Sequence, residues 1–265
     1  MLLGSWLLLI GGGLVTGMLA GLLGIGGGVI LVPLLITLGY SPIKVVATSS
    51  LAIAITAIAG SVQNWRMGCL KLNRVLSLGL PALLMVQVGV RLANQIPPHL
   101  LLGLFSLFLF VNIFLIDFRK RLATSSDKNT SKISPSSLAS EIIVGSVAGL
   151  LTGILGVGGG IVMITLQMLL LGRPIKAAIQ TSLGVLAVVA LSACIVHASE
   201  GNLLITPGLV LGTASLLGVQ ISTRFLPKLP DATVKLIFRI FLITMSAYVF
   251  WQAHQLFTAT HAIIP

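Results

Sequence analysis

Long apolar stretches follow one another along this chain of 265 residues, with only short polar connections between most of them. Hydrophobic residues make up 56% of the sequence and charged residues 8%, whereas a soluble domain carries about 25% charged residues. One helix needs about 20 apolar residues to cross a bilayer. The pattern therefore predicts an all-α polytopic membrane protein with about eight to ten transmembrane or half-membrane helices. The stretches cover residues 3–23, 28–39, 43–63, 74–94, 99–118, 140–155, 159–171, 175–197, 203–225 and 231–252.

The sequence contains the same glycine-rich segment twice. "GLLGIGGGVILVP" runs from Gly21 to Pro33, and "GILGVGGGIVMIT" runs from Gly153 to Thr165, 132 positions later. At the same offset, "SPIKVVATSSL" (41–51) matches "RPIKAAIQTSL" (173–183). The chain is therefore predicted to consist of two transmembrane repeats, residues 1–118 and 140–265, joined by a polar linker at 119–139.

Equivalent loops of the two repeats carry opposite charge. The loop 64–74 contains three basic residues and its counterpart 198–203 contains none, whereas 224–235 is basic and its counterpart 95–98 is not. Cytoplasmic loops are enriched in Lys and Arg. The bias predicts inverted-topology repeats in the inner (plasma) membrane, with the basic linker in the cytoplasm and both termini outside.

The net charge of +11 is explained by these loops. Basic residues that flank apolar stretches face anionic lipid headgroups, and the sequence has no dense basic stripe with interleaved aromatic residues. We therefore expect the lipid bilayer as a partner and no nucleic acid.

Each glycine triplet is predicted to interrupt a helix within the membrane. One glycine inside a helix costs about 1 kcal/mol relative to alanine, and the stretches 28–39 and 159–171 are too short to span a bilayer comfortably. Each repeat is thus predicted to contain a glycine-broken or re-entrant helix pair. The short helices would direct their N-termini, which carry free N–H groups and a partial positive charge, towards the membrane midplane. The candidate anion-binding residues are Gly26, Gly27, Gly28, Gly158, Gly159 and Gly160.

Helix packing is the alternative explanation for the glycines. Spacing of four residues, as in Gly17 and Gly21, is typical of closely packed helices. Consecutive glycines point in different directions around a helix, so packing explains the triplets poorly.

Polar residues at matched positions in the third apolar stretch of each repeat are further candidates. Their hydroxyl and amide groups could donate hydrogen bonds to an oxyanion, or could bond neighbouring helices and cap helix starts instead. These residues are Thr48, Ser49 and Ser50 in the first repeat and Gln180, Thr181 and Ser182 in the second. Gln87 and Gln167 are weaker candidates.

The doubled motif resembles a known family. "GLLGIGGGVILVPLL" with "ATSSLAIAI", repeated as "GILGVGGGIVMITLQ" with "IQTSLGVLA", is similar to the TauE/SafE sulfite exporters, also called the toluene-sulfonate uptake permease family. The resemblance covers essentially the whole chain. It implies a carrier for sulfite, sulfonates or related organic anions. Pro33 aligns with Thr165, so the second repeat lacks the proline of the first.

Enzyme classes are disfavoured by the motifs. The sequence has no H-E-x-x-H, no G-x-S-x-G and no nucleotide-binding motif, and its five acidic residues all fall in loops or at helix ends. We expect no catalytic residue, no metal ligand and no cofactor. The predicted function is a secondary carrier that moves a small sulfur-containing anion by alternating access, with an anion channel or a carrier for a non-sulfur organic anion as alternatives. The coupling ion is not identified, and a homo-oligomer is left open.

Overall fold

The computed structural model describes residues 3–93, 95–96, 100, 103–104, 107, 110–112, 138–155 and 159–261, without the side chains of 3–5, 249 and 252–261. Most of the apolar stretch 99–118 and the linker up to residue 137 lie outside the described residues. Gly158 does so as well.

Nine α-helices have described bounds, and the described residues between 100 and 112 are also helical. The nine helices are α1 (Leu3–Leu23), α2 (Gly28–Thr37), α3 (Pro42–Arg66), α4 (Leu72–Ala93), α5 (Leu138–Leu155), α6 (Gly160–Leu170), α7 (Ile175–Ser199), α8 (Ile205–Phe225) and α9 (Asp231–His261). A 3-10 turn, Leu226–Lys228, follows α8. Each of these helices lies on an apolar stretch of the sequence.

The expected all-α polytopic membrane fold is confirmed. Within the described residues the regular structure is helical throughout, and six helices there are long and apolar enough to cross a membrane. The helices α2 and α6 have only 10 and 11 residues. At 1.5 Å per residue they extend about 15 Å, half the thickness of the hydrocarbon core.

Each short helix follows a longer helix through a glycine loop. Gly27 lies against Thr16, and Gly12 lies against Leu34, so α2 runs antiparallel to α1 and returns along it. In the second half, Gly159 lies against Thr152 of α5 at the start of α6. In both halves the N-cap glycine of the short helix thus lies against a threonine of the preceding helix.

The main helix contacts connect the two halves of the chain. The helix α1 packs along α8, and its counterpart α5 packs along α4. In the same way, α3 packs on α8 while its counterpart α7 packs on α4. The two central helices, α3 and α7, contact each other. Exchanging the halves thus reproduces the pattern of contacts.

Contacts at small residues show in which direction neighbouring helices run. Gly13, Gly17 and Gly21 of α1 meet successive positions along α8, from Leu211 to Ser222, so the two helices are parallel. A side chain at any of the three glycines would collide with α8, which explains why the backbones approach so closely.

The other two long pairings are also parallel. In α3, Leu51 meets Gly208 of α8 and Ile55 meets Gly212. In α5, Gly145, Gly149 and Gly153 meet successive positions of α4, namely Leu78, Ala82 and Val86. Parallel neighbours come from different halves of the chain in each case.

Candidate functional site

The first glycine loop is a sharp turn with a left-handed backbone. Gly24, Gly26 and Gly27 have φ angles of 66°, 68° and 88°, which glycine adopts without the penalty that a Cβ imposes. The loop ends α1 at Leu23 and starts α2 at Gly28. All residues from Gly24 to Gly28 are buried. The predicted break therefore lies inside the helix bundle.

The N-terminus of α2 has no side-chain cap. Gly27 is its N-cap residue, and no side chain bonds to the first turn. The first turn carries no acidic residue. The carbonyl oxygen of Gly27 accepts from the N–H groups of Ile30 and Leu31, at 3.0 and 3.2 Å. The N–H groups before them have no acceptor within the helix, and the partial positive charge of the helix end is not neutralised by a carboxylate.

The N-terminus of α6 resembles that of α2. Gly159 is the N-cap residue of α6 and, like Gly160, is buried. No side chain caps this helix, and its first turn has no acidic residue. Gly158, the third predicted glycine of this triplet, lies outside the described residues.

The two glycine segments contact each other. A Cβ atom at Gly160 would lie 2.8 Å from Cα of Ile25 and 3.0 Å from Cδ1 of Leu186. Gly24 is equally close to the second half, because a Cβ there would lie 2.9 Å from Cα of Ile179. The N-terminal end of α6 therefore meets the loop that precedes α2, and the same loop touches α7.

One predicted polar residue bonds directly to this junction. The hydroxyl of Ser182 donates a hydrogen bond to the carbonyl oxygen of Gly24 at 2.9 Å. Ser49 is also fully buried, and its hydroxyl makes no hydrogen bond to the described part of the chain. A buried hydroxyl without a partner costs free energy, so Ser49 is available to bond a ligand.

The remaining polar candidates are mostly engaged elsewhere. Ser50 and Thr181 each donate to the carbonyl oxygen one turn earlier in their own helix, at 2.9 and 2.8 Å. Thr48 accepts a hydrogen bond from the backbone N–H of Leu204 at 3.3 Å. Gln180 is buried in α7. For Thr48, Ser50 and Thr181 these contacts match the helix-bonding alternative.

Two threonines at the loops were not predicted from the sequence. The methyl group of Thr16 lies against Gly27, and the Thr16 hydroxyl is buried without a hydrogen-bond partner among the described residues. Thr152 lies against Gly159 and donates to the carbonyl oxygen of Ala148 at 2.7 Å. Each threonine directly precedes a motif glycine in the sequence. This position was the sequence feature from which the two threonines could have been predicted.

A buried ionic cluster lies at the opposite end of α6 from the glycine loop. Arg173, in the connection between α6 and α7, forms an ion pair with Glu141 in the first turn of α5. Its other terminal nitrogen donates to Oε1 of Gln167 at 2.9 Å. These three residues are called the Arg173 cluster below. The sequence placed Glu141 at a helix end correctly, but it gave no indication of the partner.

This fold defines a class of protein. Short helices that begin at buried N-termini, inside a bundle of helices long enough to cross a membrane, are typical of membrane transporters. The family model described as "Sulfite exporter TauE/SafE" matches residues 9–249, which is most of the chain. The chain therefore belongs to the TauE/SafE family, as the glycine motifs predicted.

Similar proteins come from bacteria and archaea. The probable membrane transporter protein YjnA of Bacillus subtilis (strain 168) is 28% identical over 235 residues, covering 82% of this chain and 90% of the relative. The probable membrane transporter protein MJ0441 of Methanocaldococcus jannaschii is 27% identical over 236 residues, covering 82% and 86%. YunE, another probable membrane transporter protein of Bacillus subtilis, is 24% identical over 94% of this chain and 98% of its own length. With the family match, these similarities support a multi-pass membrane transporter.

Proposed function

We propose that this transporter is a secondary carrier for a small sulfur-containing anion, such as sulfite or an organosulfonate, and that it works by alternating access. The observation that carries the proposal is that α2 and α6 both begin at buried, uncapped N-termini, and that the N-terminus of α6 contacts the glycine loop that leads into α2. Helix N-termini bind anions through free N–H groups and the helix dipole. The family description names sulfite, and a sulfur oxyanion suits such a site.

Buried hydroxyl groups complete the proposed site, and those of Thr16 and Ser182 belong to residues that contact the first glycine loop. Thr16 and Ser49 have buried hydroxyls that lack a partner in the described structure, and each has a proton to donate to an oxyanion. Ser182 already holds the carbonyl oxygen of Gly24, so it orients the loop. The proposed substrate-binding residues are the two glycine triplets, Gly26 to Gly28 and Gly158 to Gly160, with Thr48, Ser49, Ser50, Gln180, Thr181 and Ser182, and Thr16 is added here.

Helix directions support inverted repeats. The helices α1 and α3 both run parallel to α8, and α5 runs parallel to α4. The connection between α3 and α4 is residues 67–71, which is too short to cross a bilayer. If both helices span, α3 and α4 cross in opposite directions. Then α1 and its counterpart α5 also cross in opposite directions, as alternating access around two inverted halves requires.

Loop charges supply the proposed orientation. The end of the bundle where α4 begins also carries Arg66, Lys71 and Arg74. The positive-inside rule places this end in the cytoplasm. We propose the plasma membrane as the location, with both termini outside. The proposed role is transport without chemical conversion of the substrate.

Transport into proteoliposomes tests the proposal. Labelled sulfite, thiosulfate, small sulfonates and small carboxylates are offered to the purified protein, with an unlabelled anion present or absent on the trans side. We expect saturable uptake of a sulfur anion that is accelerated by trans anion. An anion channel gives flux without this acceleration, and preference for a carboxylate supports a non-sulfur carrier.

A matched pair of glycine variants ties transport to the site. In Gly27→Leu the new side chain meets Thr16 and the backbone at φ 88° is strained. Gly11, in the same half, is exposed and has open space around it, so Gly11→Leu is the control. We expect loss of transport in the first variant and normal transport in the second. Full transport by correctly folded Gly27→Leu protein contradicts the site.

A further inference from the structure

The three side chains of the Arg173 cluster are buried, although Arg173 itself lies in the connection between α6 and α7. Arg173 is 8% exposed, Glu141 is 7% exposed and Gln167 is fully buried. The guanidinium contacts both partners at once, and the backbone N–H of Arg173 donates to the carbonyl oxygen of Gln167 at 3.2 Å. The connection is thus folded onto the end of α6. An arginine held in this way is a formed site for oxygen ligands.

The first half of the chain has no such cluster. At the offset of 132, the positions of Glu141, Gln167 and Arg173 correspond to Leu9, Leu35 and Ser41. Leu9 and Leu35 are fully buried and apolar. The fold of the short helices therefore does not need these polar residues, and the cluster serves something that differs between the two ends of the protein.

A second cation, Arg74, lies near enough to act on the Arg173 cluster. Arg74, on the neighbouring helix α4, acts electrostatically on Arg173. Burial lowers the pKa of the Arg173 guanidinium, Arg74 shifts it in the same direction, and Glu141 opposes both. Arg173 is thus paired with one carboxylate, while a second cation acts against its charge. Gln167 also has a buried Nε2 group with no hydrogen-bond partner in the described part of the chain. An excess positive charge beside a free amide donor is the environment that an oxyanion would fill.

We propose that the Arg173 cluster is a second anion site, separate from the glycine loops, in which the carboxylate of Glu141 takes the place of the anion while the site is closed. The anion would bind the guanidinium through two oxygens and accept a third hydrogen bond from Nε2 of Gln167. Its ligand class is a small sulfonate or sulfur oxyanion. Gln167 is seven residues from Gly160 on α6, about 10 Å along the helix axis. The proposed second site is therefore about 10 Å from the glycine junction along α6. The inference rests on the proposed anion transport.

Chemical modification of Arg173 tests the site without measuring transport. Purified protein in detergent is treated with phenylglyoxal, and peptide mass spectrometry gives the modification rate of each arginine. Methanesulfonate or sulfate is added at constant ionic strength, with gluconate as the balancing anion. The exposed Arg66 and Arg224 serve as references in the same sample. We expect methanesulfonate to slow modification of Arg173 and to leave the two references unchanged.

Two variants separate anion binding from mere burial. Glu141→Gln removes the competing charge but keeps an oxygen that can accept from Arg173, so we expect half-protection at an anion concentration about tenfold lower than in the unmodified protein. Gln167→Leu removes the free amide and introduces the residue of the first half, so the concentration should rise about tenfold. If Glu141→Gln is not monodisperse, the unmodified protein and Gln167→Leu decide the question.

The outcomes distinguish this inference from the proposed function. Modification of Arg173 that is unaffected by anions in all three proteins overturns the second site. If such a protein still transports a sulfur anion, the carrier proposal stands alone. Protection that follows the two variants as expected supports the site, even where no transport is detected. Equal slowing of all arginines indicates an ionic effect on the reagent and rejects the site.

Discussion

Ser182 in α7 donates a 2.9 Å hydrogen bond to the carbonyl oxygen of Gly24, which lies 158 positions earlier in the chain. Both residues are buried. The bond ties the middle of a long helix from one half to the glycine loop of the other half. Any change in the position of α7 relative to this loop must break or move the bond, so it couples the proposed site to the arrangement of the two halves.

Loss of this hydroxyl should destabilise the protein. Ser182→Ala leaves the buried carbonyl oxygen of Gly24 without its side-chain donor, which costs about 1–3 kcal/mol. We expect a lower midpoint of thermal unfolding in detergent and slower anion uptake in proteoliposomes.

The aligned serine is the control. Ser50 corresponds to Ser182, but its hydroxyl donates within α3, to the carbonyl oxygen of Val46. Bonds of this kind add little to helix stability, so Ser50→Ala should unfold near the temperature of the unmodified protein. Equal effects of the two substitutions would show that the bond to Gly24 is not what stabilises the junction.

Alanine at Gly160 should separate the two glycine segments. Its φ angle is not in the left-handed region, so the substitution causes no backbone strain there, but the new Cβ would lie 2.8 Å from Cα of Ile25. Overpacking of this kind costs about 1–3 kcal/mol. We expect reduced stability together with loss of saturable uptake, measured on monodisperse protein.

Gly39→Ala provides the opposite comparison. Gly39 has a φ angle of 86° and nothing within 4 Å of a Cβ. Alanine there pays only the left-handed backbone penalty, about 1–2 kcal/mol. We expect some loss of stability but normal anion affinity. If Gly39→Ala abolishes uptake as completely as Gly160→Ala, general destabilisation rather than the junction explains both.

Helix positions could be predicted from the sequence because they depend on local properties. The apolar stretch 175–197 became Ile175–Ser199, and the stretch 159–171 became Gly160–Leu170. The break at Gly24 to Gly27 agrees with the prediction, since glycine disfavours the helix. Gly11, Gly12 and Gly13 nevertheless lie inside α1, so consecutive glycines alone do not end a helix. The meeting of the two helix ends stays a prediction from the repeat; the structure places Gly160 at the start of α6 against Ile25, in the loop before α2.

The hydrogen-bond and ion-pair partners of buried polar side chains could not be predicted in the same way. Ser50 and Ser182 occupy aligned positions, yet one bonds its own helix and the other bonds Gly24. The difference depends on how each helix is rotated and packed, which involves residues far away in the sequence. Glu141 and Arg173 likewise belong to different elements. The only sequence signal for that pair was that the first half has Leu9 and Ser41 at the same positions.

The proposed inversion predicts the side on which two loops react. In a Cys69→Ser, Cys194→Ala background, single cysteines replace Lys71 and Ser199, which are both exposed. A membrane-impermeant maleimide should label Lys71→Cys only from the cytoplasmic side and Ser199→Cys only from outside. The measurement is labelling of intact cells against inverted vesicles. Labelling of both from one side would rule out inverted repeats.

The Arg173 cluster should be costly to break and cheap to replace. Glu141→Ala leaves a buried guanidinium without its carboxylate, and removal of one partner of a buried pair costs about 3–5 kcal/mol. We expect this variant to unfold at a clearly lower temperature than the unmodified protein.

Replacement of the whole cluster by apolar residues should restore stability. Glu141→Leu and Gln167→Leu introduce leucine, the residue type found at the equivalent positions 9 and 35 of the first half. Arg173→Met fills the remaining volume with an unbranched side chain. Replacement of a buried ion pair by apolar residues of similar volume often leaves the stability unchanged or raises it. The triple variant should therefore unfold at or above the unfolding temperature of the unmodified protein. Thermal unfolding in detergent measures the stability, and anion uptake on the same preparations measures function. A stable triple variant with slow uptake shows that the cluster is kept for transport, whereas a triple variant as unstable as Glu141→Ala shows that it is needed for folding.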